Sequence, residues 1–198
     1  MKILLLIALP IEVCGFDFKH KDVDVVFTGV GKINACKTVG SVFLDNQYDY
    51  VINAGTCGST KFDVGHILFP SIIYQGDAFI TGSFESKVLH TKKITADFVK
   101  EVSILSSDNF ISVESEMGDV FFDIRDKYDA FDMESYAIAS VLEFMLDRLS
   151  FIKIVSDNLD GSTADWEFSA KNLSPILADC IERYIKRNFI SDYEVHRI

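Results

Sequence analysis

The amino-acid sequence predicts a three-layer α/β/α domain built on a central mixed sheet, and three observations carry that prediction. Short apolar runs rich in β-branched and aromatic residues alternate along the chain with stretches of helical period, as in strand–helix units stacked around one sheet. The first of these runs is apolar almost throughout instead of alternating, as expected of a strand covered on both faces. Acidic and small polar residues cluster where the runs stop, and in open α/β sheets ligands sit beyond the carboxyl ends of the strands.

Taken in order, Lys2–Leu9 (K-I-L-L-L-I-A-L) reads as a buried strand that Pro10 ends. The same run is not read as a signal peptide, because Pro10, Glu12 and Asp17 follow it without a small-residue cleavage site. Glu12 is either a first-turn carboxylate favoured by the helix dipole or a functional group at a strand end. Val23–Val30 reads as a second strand running into Gly29-Val30-Gly31, and 32–46 as a helix with Ile33, Cys36, Val39, Val42 and Phe43 at helical spacing. A glycine turn before a helix offers N–H groups to an anion or hydroxyl, although the G-x-G-x-x-G spacing is absent.

Tyr50–Asn53 reads as a short strand, followed by Ala54-Gly55-Thr56-Cys57-Gly58-Ser59 as a loop of small polar residues. Val64–Tyr74 is β-like, and Thr95–Leu105 is predicted as a helix capped by Thr95, with Phe98, Val99, Val102 and Leu105 on one face. Gly118-Asp119-Val120-Phe121-Phe122 places two aromatics where they either join the core or stack on a planar base. Ala130–Ser140 (A-F-D-M-E-S-Y-A-I-A-S) sets Asp132 and Glu134 around Met133 just before a helix whose buried side is Ala137, Val141, Phe144 and Met145. Phe151–Gly161 (F-I-K-I-V-S-D-N-L-D-G) is a buried strand running out at Ser156 and Asp157. Glu167–Asn188 is helical, with a kink or fresh start predicted at Ser174-Pro175. One domain over 1–190 and a frayed tail over 191–198 complete the expectation.

Composition narrows the chemistry. A formal charge of −11 with no basic cluster argues against nucleic acid and favours a small ligand. No apolar stretch is long enough to cross a bilayer, so no membrane partner is expected. Four cysteines and four histidines without ligand spacing imply no metal, and the cysteines are read as reduced, in keeping with a cytoplasmic location. Asp157, a carboxylate backed by an apolar strand, is a candidate general acid; the plainer reading is a turn or capping aspartate. Cys57 is taken as a small structural residue, since no base adjoins it in sequence.

Several ordered motifs (A-L-P-I-E-V, T-G-V-G-K-I-N-A, V-I-N-A-G-T-C-G-S, G-D-V-F-F, D-M-E-S-Y-A-I-A and I-V-S-D) together resemble the 5′-methylthioadenosine/S-adenosylhomocysteine nucleosidase family, within the purine nucleoside phosphorylase superfamily. The resemblance implies the purine nucleoside phosphorylase-like fold and hydrolysis of a 5′-substituted purine nucleoside, with no cofactor. By the same resemblance Glu12 activates the attacking water and Asp157, steadied by Ser156, protonates N7 of the leaving purine. Met133 then packs on the sugar and Glu134 binds the ribose hydroxyls. Phe121 stacks on the base, the Phe122 backbone reads the purine edge, and Thr56 lies by the water or phosphate site. A homodimer is implied as well.

Three departures stand out, one being His66, which interrupts the family's V-G-D-I as V-G-H-I. Lys153 occupies the position of an arginine in the nucleosidases, keeping the charge without the planar fork. The chain is also trimmed between Tyr74 and Asp119, where the family builds its 5′ pocket and part of the dimer contact. The rival activities are hydrolysis of futalosine or its 6-amino-deoxy analogue, phosphorolysis, and nucleoside binding without catalysis. Phosphorolysis is disfavoured because the Ala54–Ser59 stretch has no arginine, Lys32 is the one basic residue by the glycine turn, and Glu12 would repel a phosphate dianion.

Overall fold

The computed structural model describes residues 1–15, 17–18, 20–77, 88–93, 101–112, 124–160 and 163–189. Among them lie nine strands: β1 (Ile3–Ile7), β2 (Val23–Phe27), β3 (Tyr50–Gly58), β4 (Ile67–Leu68), β5 (Pro70–Gln75), β6 (Val88–His90), β7 (Val102–Ser106), β8 (Ala130–Asp132) and β9 (Leu149–Asp157). Three α-helices accompany them, α1 (Lys32–Asp45), α2 (Ser135–Val141) and α3 (Thr163–Phe189), with 3₁₀ turns at Pro10–Val13 and Glu143–Arg148. No helix among the described residues is long and apolar enough to cross a membrane.

The strands form one mixed sheet in the order β2-β1-β3-β8-β7-β5-β6, with β9 paired to β3 and β4. The strand β1 runs parallel to β2 and β3, and β3 runs parallel to β9 in register from Val51↔Leu149 to Cys57↔Val155. A register shift after Cys57 sets Gly58 opposite Asp157, and Gly58 also meets Phe131 of β8. The carboxyl end of β3 therefore touches two neighbours, β9 and β8.

Side chains along β1 alternate between two cores, as the pleat requires. Leu4 and Leu6 join Val51, Ala35, Val39 and Ile138 on the face covered by α1 and α2. Ile3, Leu5 and Ile7 join Ile52, Ile152, Leu177 and Ile181 on the face covered by α3. All five residues of β1 are buried, which is why the run shows no polar alternation. Each such aliphatic burial contributes about 1.5–3 kcal/mol. A third cluster (Leu105, Ile111, Tyr128, Phe131, Leu159) packs at the carboxyl end of the sheet.

The three-layer mixed-sheet prediction holds, and several local expectations are corrected. The expected 54–59 loop is mostly strand, since β3 continues to Gly58, held between β1 and β9. Val102–Ser106 is a strand parallel to β5 and β8 rather than the end of a helix; residues 94–100 lie outside the described ones. The β-like run from Val64 divides into β4 and β5, and β2 stops at Phe27. On α1 the buried residues are Ala35 and Val39, whereas Ile33 is 78% exposed and Cys36 is exposed too. Phe144 is likewise 69% exposed, because α2 ends at Val141 and a 3₁₀ turn rotates the face.

The helix α3 runs through Ser174-Pro175 without a fresh start. Pro175 has no N–H for the carbonyl four residues earlier. The Ser174 hydroxyl donates to that same Lys171 carbonyl at 2.9 Å and fills the gap.

Candidate active site

Pro10 closes the run of β1 and opens a 3₁₀ turn that brings Glu12 over the carboxyl end of β3. Glu12 is only 3% exposed. Its Oε2 accepts the Leu9 N–H at 3.0 Å, so the first-turn reading of this residue is correct as far as it goes. Its Oε1 accepts the Thr56 N–H at 2.7 Å and the Thr56 hydroxyl at 2.9 Å. Glycine at 55 permits this approach, since a Cβ there would stand 2.9 Å from Oε1. From the first turns of α3, Trp166 donates its indole N–H to Thr56 Oγ at 3.0 Å.

The glycine turn before α1 serves a second carboxylate. Gly31, at φ +89°, donates its N–H to Glu134 Oε1 at 2.8 Å. The next N–H, of Lys32, is taken by Asp108 Oδ1 at 2.7 Å. The Lys32 ammonium is paired with Asp77 and lies 3.7 Å from Asp108. Donors that could hold an external anion therefore face the chain's own carboxylates. Glu134 is buried at the start of α2; burial first, and then Asp132 and Glu12 nearby, push its carboxyl well above the usual range against the opposing pull of Lys153 and the Gly31 N–H.

Asp157 ends β9. Its Oδ2 accepts the Ser156 hydroxyl at 2.8 Å and its Oδ1 the Leu159 N–H at 3.0 Å. The second bond is the turn-type contact of the plainer reading. Leu159 adopts φ +64°, a left-handed backbone at a non-glycine residue, and such strain is concentrated at functional sites. Gly58 opposite leaves room for both side chains: a Cβ there would come 2.1 Å from Leu159 Cδ2 and 2.9 Å from Asp157 Oδ1, and one of them would have to shift. Burial raises the Asp157 carboxyl above its ordinary value, Asp160 adds to the rise, and the Ser156 and Leu159 donors oppose it. The direction is the one a general acid needs.

Beneath these groups lies a buried ion pair. Lys153, 1% exposed, reaches Asp132 Oδ2 at 2.9 Å. Asp132 also accepts the Ser106 hydroxyl at 2.6 Å and the Ser135 hydroxyl at 2.5 Å. Burial works against the Lys153 charge, but Asp132 and Glu134 outweigh it and hold the ammonium above its ordinary value. Lys153, which the resemblance places among the substrate-binding residues, sits behind the carboxylates and is not among the residues that line the cavity.

That cavity, of about 500 Å³, brings together Glu12, Thr56, Met133, Glu134, Ser156 and Asp157 from four segments of the chain. Asp132 and Glu167 also border it, and no lysine, arginine or histidine is found among its described lining residues. Phe121 and Phe122 lie outside the described residues. Lining residues that were not anticipated include Phe110 and Ile111, which follow β7, and Trp166. The run V-S-I-L-S-S-D-N-F-I was the available signal for the first two, masked by reading Val102–Leu105 as helix. Cys57 also borders the cavity, but burial pushes its thiol far up, which makes it a poor nucleophile. Among the described residues, no set of three or more His, Cys, Asp or Glu is grouped to hold a metal ion.

No family model matches the chain. It is 25% identical over 165 residues to the 5′-methylthioadenosine/S-adenosylhomocysteine nucleosidase of Buchnera aphidicola subsp. Schizaphis graminum, an alignment covering 73% of this chain and 70% of that protein. To the corresponding protein of Buchnera aphidicola subsp. Acyrthosiphon pisum it is 28% identical over 169 residues, covering 73% and 71%. Among solved structures, the Neisseria meningitidis 5′-methylthioadenosine/S-adenosylhomocysteine nucleosidase in complex with methylthio-immucillin-A superposes with a TM-score of 0.78 at 18% identity, covering 94% of this chain and 99% of that one. Helicobacter pylori futalosine hydrolase superposes with a TM-score of 0.76 at 20% identity, covering 94% and 97%. The chain is thus similar in sequence to the nucleosidases and has their fold.

Proposed function

We propose that this relative of the 5′-methylthioadenosine/S-adenosylhomocysteine nucleosidases is an N-ribosyl hydrolase that releases purine from a 5′-substituted nucleoside. The observation that carries the reading is the convergence of Glu12, Glu134 and Asp157, each with its own glycine-permitted or glycine-donated contact, on one cavity. N-glycosidic cleavage builds positive charge on the sugar and negative charge on the base. Asp157 donates its proton to N7 as the C1′–N9 bond breaks, and the bonding pair leaves with the purine. Glu12 takes a proton from water as its oxygen attacks C1′. Glu134 hydrogen-bonds the ribose hydroxyls and, in its ionised form, stabilises the cationic sugar. Positioned acid–base groups of this kind are each worth about 10²–10⁴-fold.

Met133 packs against the sugar, Phe121 stacks on the base, and Phe110 supplies a further aromatic to the cavity wall. Hydrolysis is favoured over phosphorolysis by electrostatics. A phosphate dianion would enter a cavity bordered by carboxylates, with Lys32 already paired to Asp77 and the first α1 amides already capped. The protein works as a homodimer in the cytoplasm on this reading, without metal or cofactor.

Purine release followed by chromatography, with and without phosphate, tests the proposal. The panel holds methylthioadenosine, S-adenosylhomocysteine, 6-amino-deoxyfutalosine, futalosine, inosine and adenosine. Phosphate-independent release that disappears in E12Q and D157N is expected, and the best substrate identifies the 5′ group. Release only with phosphate, or none at all, overturns the reading.

A further inference from the structure

Trp166 is the only tryptophan in the chain, and sequence reasoning gave it no role. The structure places its indole against Thr56, the residue that holds Glu12. An indole N–H donates and cannot accept. The Thr56 hydroxyl therefore receives the Trp166 hydrogen on a lone pair at 3.0 Å, and its own single hydrogen goes to Glu12 Oε1 at 2.9 Å. The direction of the chain Trp166 → Thr56 → Glu12 is fixed by this inventory alone.

The consequence concerns which oxygen of Glu12 is open. A carboxylate offers about four in-plane acceptor sites. The Thr56 N–H and hydroxyl fill those of Oε1, and the Leu9 N–H fills one of Oε2. The remaining site is on Oε2. Without the indole, the Thr56 hydroxyl is a free rotor able to turn to solvent or ligand, and Oε1 opens as a second, misdirected acceptor for water.

We propose that Trp166 is a positioning residue for Glu12, acting through the Thr56 hydroxyl to leave one defined acceptor site for the attacking water. The proposal rests on the reading of Glu12 as the water-activating base. Because the indole also borders the cavity, the residue that walls the ligand site is the one that orders the base.

The test uses the full chain with W166F, W166A, T56V and the W166F/T56V double variant, read by steady-state purine release and by tryptophan emission. W166F keeps an aromatic wall and loses the N–H, so kcat falls about fivefold while KM stays near wild type. W166A loses the wall too and raises KM in addition. The double variant is no slower than T56V alone, because both changes cut one chain. In T56V the single-tryptophan emission shifts, since the indole has lost its acceptor.

Multiplying losses in the double variant, or unmoved emission in folded T56V, overturn the proposal. Wild-type kcat in W166F beside an inactive E12Q overturns it while leaving the hydrolase reading in place. Absence of purine release by the wild type overturns both. Should W166F fail to fold, the T56V emission decides.

Discussion

The pair β3–β9 buries polar groups at both ends, and the two ends use them differently. At the amino end, the Tyr50 hydroxyl and Ser150 Oγ lie 2.5 Å apart, with the Tyr184 hydroxyl 3.3 Å from each. The Phe189 ring packs on Tyr50 and the Lys92 ammonium lies 4.9 Å from the centre of the Tyr50 ring. These are neutral hydroxyls satisfying one another against α3. At the carboxyl end the same two strands hold Thr56 and Asp157, with Glu12 brought in from the turn after β1. Here the polar groups include ionisable carboxylates, their partners are N–H and O–H donors, and the carboxylates border a cavity. A closed hydroxyl cluster stabilises; an incompletely satisfied carboxylate set is poised to act on a ligand.

The largest effects should break the carboxyl end. E12Q and D157N are each expected to lower turnover by about 10²–10⁴-fold. In D157N stability should move the opposite way. The Asp157 carboxyl titrates above 3.8 in the fold, so the protonated form is the one the fold prefers. The stability it contributes is fully present below 3.8 and is lost as pH rises through the raised value. Urea titrations of D157N and wild type should therefore converge at acid pH and separate in favour of the asparagine at higher pH.

Next comes the ion pair under the site. K153M leaves Asp132 charged, buried and unpaired, and should cost about 3–5 kcal/mol in chemical denaturation. The amino end sharpens the contrast: Y184F should cost about 1 kcal/mol and leave turnover unchanged. The smallest effect is expected from S156A. The Ser156 hydroxyl favours ionised Asp157, so its removal should carry the alkaline limb of the kcat/KM profile to higher pH without abolishing turnover.

Much of the architecture was legible because it rests on local pattern. The unbroken apolar run of β1 and the apolar run within β9 report burial directly, and the helical period located α1 although not its buried face. Glu12, Glu134 and Asp157 were legible too, as carboxylates at the ends of such runs. What failed was set by neighbours. Ala54–Gly58 has no strand signal of its own, yet β9 pairs along it and holds it extended, and its glycines make room for Glu12 and Leu159. Val102–Leu105 fitted a helical period by spacing, and only pairing with β5 and β8 makes it a strand. Pro175 is a helix breaker by composition, overruled by the Ser174 hydroxyl.

The sequence by itself determined the layer architecture, the acidic character of the chain and the placement of three carboxylates beside the ends of apolar runs, because burial period and charge are written in consecutive residues. Only the tertiary structure decided that the Lys32 ammonium and the Gly31 and Lys32 amides are already occupied, that Lys153 stands behind the site, and that Phe110 and Trp166 border it. Each of those facts depends on a contact between residues tens of positions apart, whose hydrogen bonds and ion pairs exist only once the strands have brought their ends together.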